Sequence, residues 1–182
     1  MDDQQILQVF MLEYEKLKEE QAQRIGFRDQ MIYITLGIFG GVLSFALSNK
    51  TNSYALLVIP WVCLILGWTY LVNDEKISAI GKYIRLTLTE KIKAHTGHTD
   101  LESIFGWEIA HRSDQRRERR KIEQLIIDEI TFVCSGLLAL FTFWFSATNL
   151  PWTVHFICVF EFILLLILGI EIVIYADLDK GR

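Results

Sequence analysis

Glu161 lies near the middle of an apolar run that extends from Pro151 to Ala176. If that run crosses a bilayer, an ionised side chain at its midpoint costs on the order of 3 kcal/mol. Such residues face a bundle interior or a water path, and burial favours the neutral acid. Two readings follow: an ion or proton site, or a protonated hydrogen bond between helices. Ser135, in the preceding apolar run, is expected at similar depth and within reach of that carboxyl. Glu171 is about 15 Å further along by helical rise and reads as an interfacial residue. His155, close to the other end, reads the same way.

A second group with chemical potential is cationic. Arg112, Arg116, Arg117, Arg119, Arg120 and Lys121 fall within ten residues, interspersed with Asp114 and Glu118. On a helix Arg112, Arg116 and Arg120 align, while Glu108 reaches Arg112 and Glu123 reaches Arg119. A salt-bridged, solvated face is the plain reading. Arg112, Arg116, Arg119 and Arg120 also suit an anionic ligand such as a nucleotide, or an acidic protein partner. Arg120 precedes the third apolar run by ten residues, about 15 Å of helix, which exceeds the ~8 Å screening length for lipid headgroups. Nucleic acid is not expected, because the surrounding segment balances 11 basic against 11 acidic residues.

No third group makes a catalytic or metal centre. His95, His98 and Asp100 are near one another, but their spacing is loose and no cysteine is close. No metal, cofactor or catalytic residue is expected. There is no phosphate-cradling glycine loop, and no nucleophile sits beside a histidine and a carboxylate in a known motif. The chain reads as a non-enzyme.

The elements that must position these residues are greasy. Gln30–Asn49, Thr51–Asn73 and Ile130–Thr148 carry no charged residue, and Pro151–Ala176 carries only Glu161 and Glu171. Each is about the 20 residues that a helix needs to cross a bilayer core. In lipid the backbone must satisfy its own polar groups, so these runs should be helices. The expected fold is all-α: a polytopic membrane protein with four transmembrane helices and a cytoplasmic helical bundle. Cys63, Cys134 and Cys158 all fall in the apolar runs and read as small apolar side chains rather than a disulfide framework. The acidic start, with Asp2 and Asp3, does not resemble a cleavable leader.

Of the 18 Lys and Arg residues, 17 lie before the first run, between the second and third, or after the fourth. Basic residues stay on the cytoplasmic side. The expected location is the cell inner membrane, multi-pass, with both termini cytoplasmic. The divisions are 1–28, a cytoplasmic amphipathic helix with Leu7, Phe10, Tyr14 and Leu17 on one stripe; 29–73, a first transmembrane hairpin; 74–129, a cytoplasmic helical segment; 130–176, a second transmembrane hairpin; and 177–182, a tail. In the middle segment Ile77, Ile80, Ile84, Leu88 and Ile92 form a stripe, and Thr99 with Glu102 matches a capping box. No Gly or Pro interrupts Trp107 to Cys134, so one continuous helix is expected there. Pro60, two turns into the second run, predicts a kink.

Gly37, Gly41, Ser44 and Ser48 share one face of the first run, and Gly40 widens it. Small residues let helix backbones approach closely, so this is the expected helix-packing face, toward another span or another subunit. Asp128 with Glu129, and Asp177 with Asp179, mark the inner mouths of the third and fourth runs; in a ring of subunits they would favour cations.

The stretches Asn73-Asp74-Glu75-Lys76-Ile77-Ser78-Ala79-Ile80-Gly81 and Phe105-Gly106-Trp107-Glu108, followed by His111-Arg112, resemble segments of small, uncharacterised bacterial four-span integral membrane proteins. That resemblance implies a bacterial inner membrane and carries over no functional residue. Two functions fit the sequence. One is a small homo-oligomeric channel or pore-forming protein, similar in build to membrane-disrupting effectors of bacterial antiviral defence. The other is a non-conducting scaffold or anchor that recruits a cytoplasmic partner through its Arg-rich helix.

Overall fold

The computed structural model describes residues 3–48, 50–97, 105–106, 116–147 and 150–176, and every regular element among them is helical. Arg112, His98, Asp100, the Thr99–Glu102 capping box, Trp107, Asp177 and Asp179 lie outside the described residues. The α-helices are α1 (Asp3–Ser48), α2 (Val58–Tyr83), α3 (Thr89–Thr96), α4 (Arg117–Asp128), α5 (Ser135–Ser146) and α6 (Trp152–Tyr175). A 3-10 stretch, Lys50–Leu57, leads into α2. Single π turns, Ile84–Leu88 and Glu129–Cys134, join α2 to α3 and α4 to α5 without a break. Four of the resulting helices are long and apolar enough to cross a membrane: Asp3–Ser48, Ser53–Thr96, Arg117–Ser146 and Trp152–Tyr175. This is the build of a multi-pass helical membrane protein. The continuous helix expected across Trp107–Cys134 holds from Arg117 onward; its earlier part is not among the described residues.

The chain divides into two compact units, Met1–Arg28 with Asn73–Arg119, and Asp29–Val72 with Arg120–Arg182. In the first, α1 runs antiparallel to the end of α2 and to α3, and polar contacts link them beside a buried apolar stripe. Arg28 pairs with Asp74 at 2.7 Å, and Arg24 Nη1 donates to Asn73 Oδ1 at 3.2 Å. Gln21 Nε2 donates to the Ile77 carbonyl, and the Tyr83 hydroxyl donates to Glu13 at 2.7 Å. Lys91 Nζ in turn donates to the Tyr83 hydroxyl, and that bond raises the Lys91 pKa. At the far end His95 Nε2 lies 3.0 Å from the Asp3 carbonyl oxygen, with its ring edge-on to Phe10. Gly97 closes α3 in the left-handed conformation, φ 70°, its N–H returning to the Lys93 carbonyl.

Ile84, Leu88 and Ile92 are buried in this unit, and Ile77 and Ile80 partly so. Steps of four residues rotate a stripe by about 40° each around an α-helix of 3.6 residues per turn. The wider π turn at Ile84–Leu88 takes up part of that drift and keeps the stripe on one face.

The second unit is packed by apolar side chains. Leu56, Ile59, Cys63, Phe132, Phe143, Leu165, Leu168 and Ile172 are almost wholly buried. Three glycines set the closest approaches. A Cβ at Gly67 would stand 2.7 Å from Leu168 Cδ2, and one at Gly136 2.8 Å from Leu165 Cδ1. One at Gly169 would stand 3.3 Å from Glu129 Oε2. Pro60 is the third residue of α2, directly after the 3-10 stretch and within the continuous helix that runs from Ser53 to Thr96.

Candidate functional site

On α6 the buried residues are Cys158, Glu161, Leu165, Leu168, Gly169 and Ile172. Their spacing of three and four makes one inward stripe on a helix of 3.6 residues per turn. Glu161 belongs to that stripe by periodicity and is 0% exposed. Neither of its carboxylate oxygens has a hydrogen-bond partner among the described residues. The Trp61 indole approaches from α2 without the geometry of a hydrogen bond. Cys158 lies one turn earlier on the same buried stripe of α6.

Ser135 is buried but does not bond Glu161. Its Oγ donates to the Ile130 carbonyl at 3.0 Å, the same oxygen that accepts its backbone N–H. The helix register explains this. Gly136 packs on Leu165, while Phe141 meets Phe162 and Trp144 meets His155. Glu161 is therefore level with Ala139 and Leu140, and Ser135 lies about one turn away. Equal residue counts from each helix end placed the two together; the packed register separates them.

A second acid emerges that the sequence marked at the inner mouth of the third run, where a ring of subunits would make it favour cations. Glu129 opens the π turn before α5, and its Oε1 is buried without a hydrogen-bond partner among the described residues. Its carboxylate lies over Gly169, two turns along the same α5–α6 seam from Glu161. Next to it, Gln124 Nε2 donates to the Tyr70 hydroxyl at 2.7 Å and to Asp128 Oδ1 at 2.8 Å. Thr131, Thr35 and Asp128 are also buried. The signal available in the sequence was Gly169, eight residues beyond Glu161 on the same helical face, where a side chain from a neighbour could fit.

Among the described residues nothing packs closely on the small-residue face expected on α1. Gly37, Gly40, Gly41, Ser44 and Ser48 are all exposed, and a Cβ at any of the three glycines would meet nothing within 4 Å. On that helix Met31, Thr35 and Ala46 face inward instead. Arg116, Arg119 and Arg120 are exposed at the start of α4 and each engages a neighbouring group. His95 is occupied by the end of α1, and no group of three His, Cys, Asp or Glu residues is arranged to hold a metal among the described residues. No family model, curated protein or solved structure matches the chain.

Proposed function

We propose that this chain is a small homo-oligomeric inner-membrane channel in which Glu161 is the conducting site. The observation that carries the reading is a fully buried carboxyl, both oxygens without partners, on the inward stripe of an apolar helix. A structural hydrogen bond between helices would leave at least one of those oxygens engaged. A polar group held in lipid at such cost marks a path for ions or protons more readily than a stabilising contact. The open glycine–serine face of α1 supplies a contact for further copies. With both termini cytoplasmic, such a channel would collapse the membrane potential when opened, the action expected of a membrane-disrupting antiviral effector.

Planar-bilayer recording of the purified protein tests this. Wild type should conduct, and Glu161→Gln should lose conductance or its pH dependence while inserting normally. A silent wild type, or a variant with unaltered currents, would remove the reading. The exposed Arg116, Arg119 and Arg120 favour a second one, a scaffold that recruits an acidic partner. Under it, Arg116→Glu with Arg120→Glu abolishes partner capture and leaves membrane insertion intact.

A further inference from the structure

We infer that Glu161 exchanges a proton rather than holding a metal cation, and that water reaches it from the Glu129 end of the α5–α6 seam. The inference rests on the reading of Glu161 as the conducting site and names what it carries.

The choice of a proton follows from the surroundings. A dehydrated cation needs several oxygen ligands at short range. Glu161 has none to share. Ala139 and Leu140 lie level with it on α5, Leu165 follows it on α6, and the Ser135 hydroxyl is spent on the Ile130 carbonyl. The groups that face it are the Cys158 thiol from its own helix and the Trp61 indole from α2; no cationic side chain lies in any of the four apolar runs. A lone carboxyl in apolar packing can bind or release a proton, but it cannot replace a hydration shell. The step balances simply. The carboxylic acid passes its proton to a water, leaving a carboxylate and a hydronium ion, and the reverse reaction reloads it.

The choice of entrance follows from the two ends of the seam. Toward Glu129 the seam carries buried polar groups, Glu129 with an oxygen unpartnered among the described residues, Asp128, Thr131 and Ser135, set among the buried side chains of Leu165, Leu168 and Phe132. Gly169 leaves room there for the Glu129 carboxylate, about 12 Å from Glu161 by helical rise. Toward the other end the packing is aromatic. Phe143 is wholly buried against Tyr54, Phe141 meets Phe162, and Trp144 meets His155. A groove on that side is lined by Leu140, Phe141, Trp144, Cys158, Val159 and Phe162 and offers water almost no polar partner.

The test uses the whole protein in liposomes with a trapped pH dye, a parallel set with a sodium dye, and a hydrophobic carbodiimide read by mass spectrometry. Wild type should pass protons and not Na⁺. Glu161→Gln should cut proton flux on the order of a hundredfold, as expected for loss of a positioned proton carrier. Glu161→Asp, which keeps the acid and is the control for folding, should retain part of it. Glu129→Gln should slow the flux several-fold, and His155→Ala should leave it unchanged. The carbodiimide, which adds to protonated carboxyls in apolar sites, should label Glu161 equally with and without excess Na⁺. Protection by Na⁺, or Na⁺ flux that Glu161→Gln removes, would overturn the proton assignment while the channel survives. Slowing by His155→Ala and not by Glu129→Gln would overturn the entrance. Absence of any flux would take down both the inference and the channel.

Discussion

Two sets of glycines in the second unit look alike in sequence and behave in opposite ways. Gly37, Gly40 and Gly41 line α1 with nothing within 4 Å of an added Cβ, while Gly67, Gly136 and Gly169 each receive a side chain from a neighbouring helix. The difference is supplied by the partner and not by the glycine. Leu168 fits Gly67, Leu165 fits Gly136, and Val133 with Glu129 fits Gly169. A run of small residues shows that a backbone permits close approach. Whether anything approaches depends on a knob at the matching height on another helix. Among the described residues the conspicuous stripe on α1 meets no such knob, and three isolated glycines do.

The sharpest way to break this comparison is to fill both kinds of site with the same side chain. Gly136→Leu should cost about 1–3 kcal/mol, the usual penalty of overpacking, because its first carbon already meets Leu165 at 2.8 Å and the rest has nowhere to go. Gly41→Leu should change the subunit's stability by no more than about 0.5 kcal/mol, as at an ordinary surface. Thermal unfolding in mild detergent, followed by tryptophan fluorescence, compares the two directly. Native mass measurement of the same samples adds a second axis. If copies assemble through the α1 face, Gly41→Leu lowers the oligomer without lowering the melting temperature. Equal melting of both variants would mean that the two sets of glycines do not differ.

A smaller effect separates the close-packed glycines from one another. At Gly67 an added methyl would stand 2.7 Å from Leu168 Cδ2 and 3.3 Å from both Cβ and Cγ of Phe132. The leucine tip can rotate away; the root of the phenylalanine cannot. At Gly136 all the close atoms belong to the Leu165 side chain, and at Gly169 the nearest is the mobile end of Glu129. Gly67→Ala should therefore destabilise by about 1 kcal/mol, and Gly136→Ala and Gly169→Ala by less. The same melting assay ranks them, and a larger loss at Gly169 would show that Glu129 is held rigidly in place.

The four apolar helices were legible because charge-free runs of bilayer length have one backbone solution in lipid. The inward aim of Glu161 was legible for a related reason: a costly group on an apolar helix turns to the interior. What could not be read was register. The sequence counts residues from the ends of a span, whereas Leu165 on Gly136 and Glu129 over Gly169 fix how far two helices slide past one another. That offset moved Ser135 a turn from Glu161 and brought Glu129 onto the seam. The polar zipper of the first unit was hidden likewise. Arg24, Arg28 and Glu13 reach Asn73, Asp74 and Tyr83, some 46 to 70 residues away in sequence, and no local spacing records such pairs.

The two π turns allow the finest comparison, since the same device occurs once in each unit. In each, an isoleucine carbonyl accepts the backbone N–H of the residue five positions on, and that residue's hydroxyl donates to the same oxygen: Thr89 to Ile84 at 2.7 Å, Ser135 to Ile130 at 3.0 Å. Removing the hydroxyl leaves the carbonyl with its amide donor, so no buried acceptor is orphaned. The cost of Thr89→Ala and of Ser135→Ala should then sit near the bottom of the hydrogen-bond range, about 0.5 kcal/mol. Ser135 carries an added consequence that Thr89 does not, because its turn presents Glu129 to the seam shared with Glu161. If the hydroxyl holds that turn open, Ser135→Ala shifts the carbodiimide labelling of Glu161 with little change in melting, while Thr89→Ala shifts neither. A loss of 2 kcal/mol or more at either site would mean that the wide turn, and not the α-helix around it, depends on one hydroxyl.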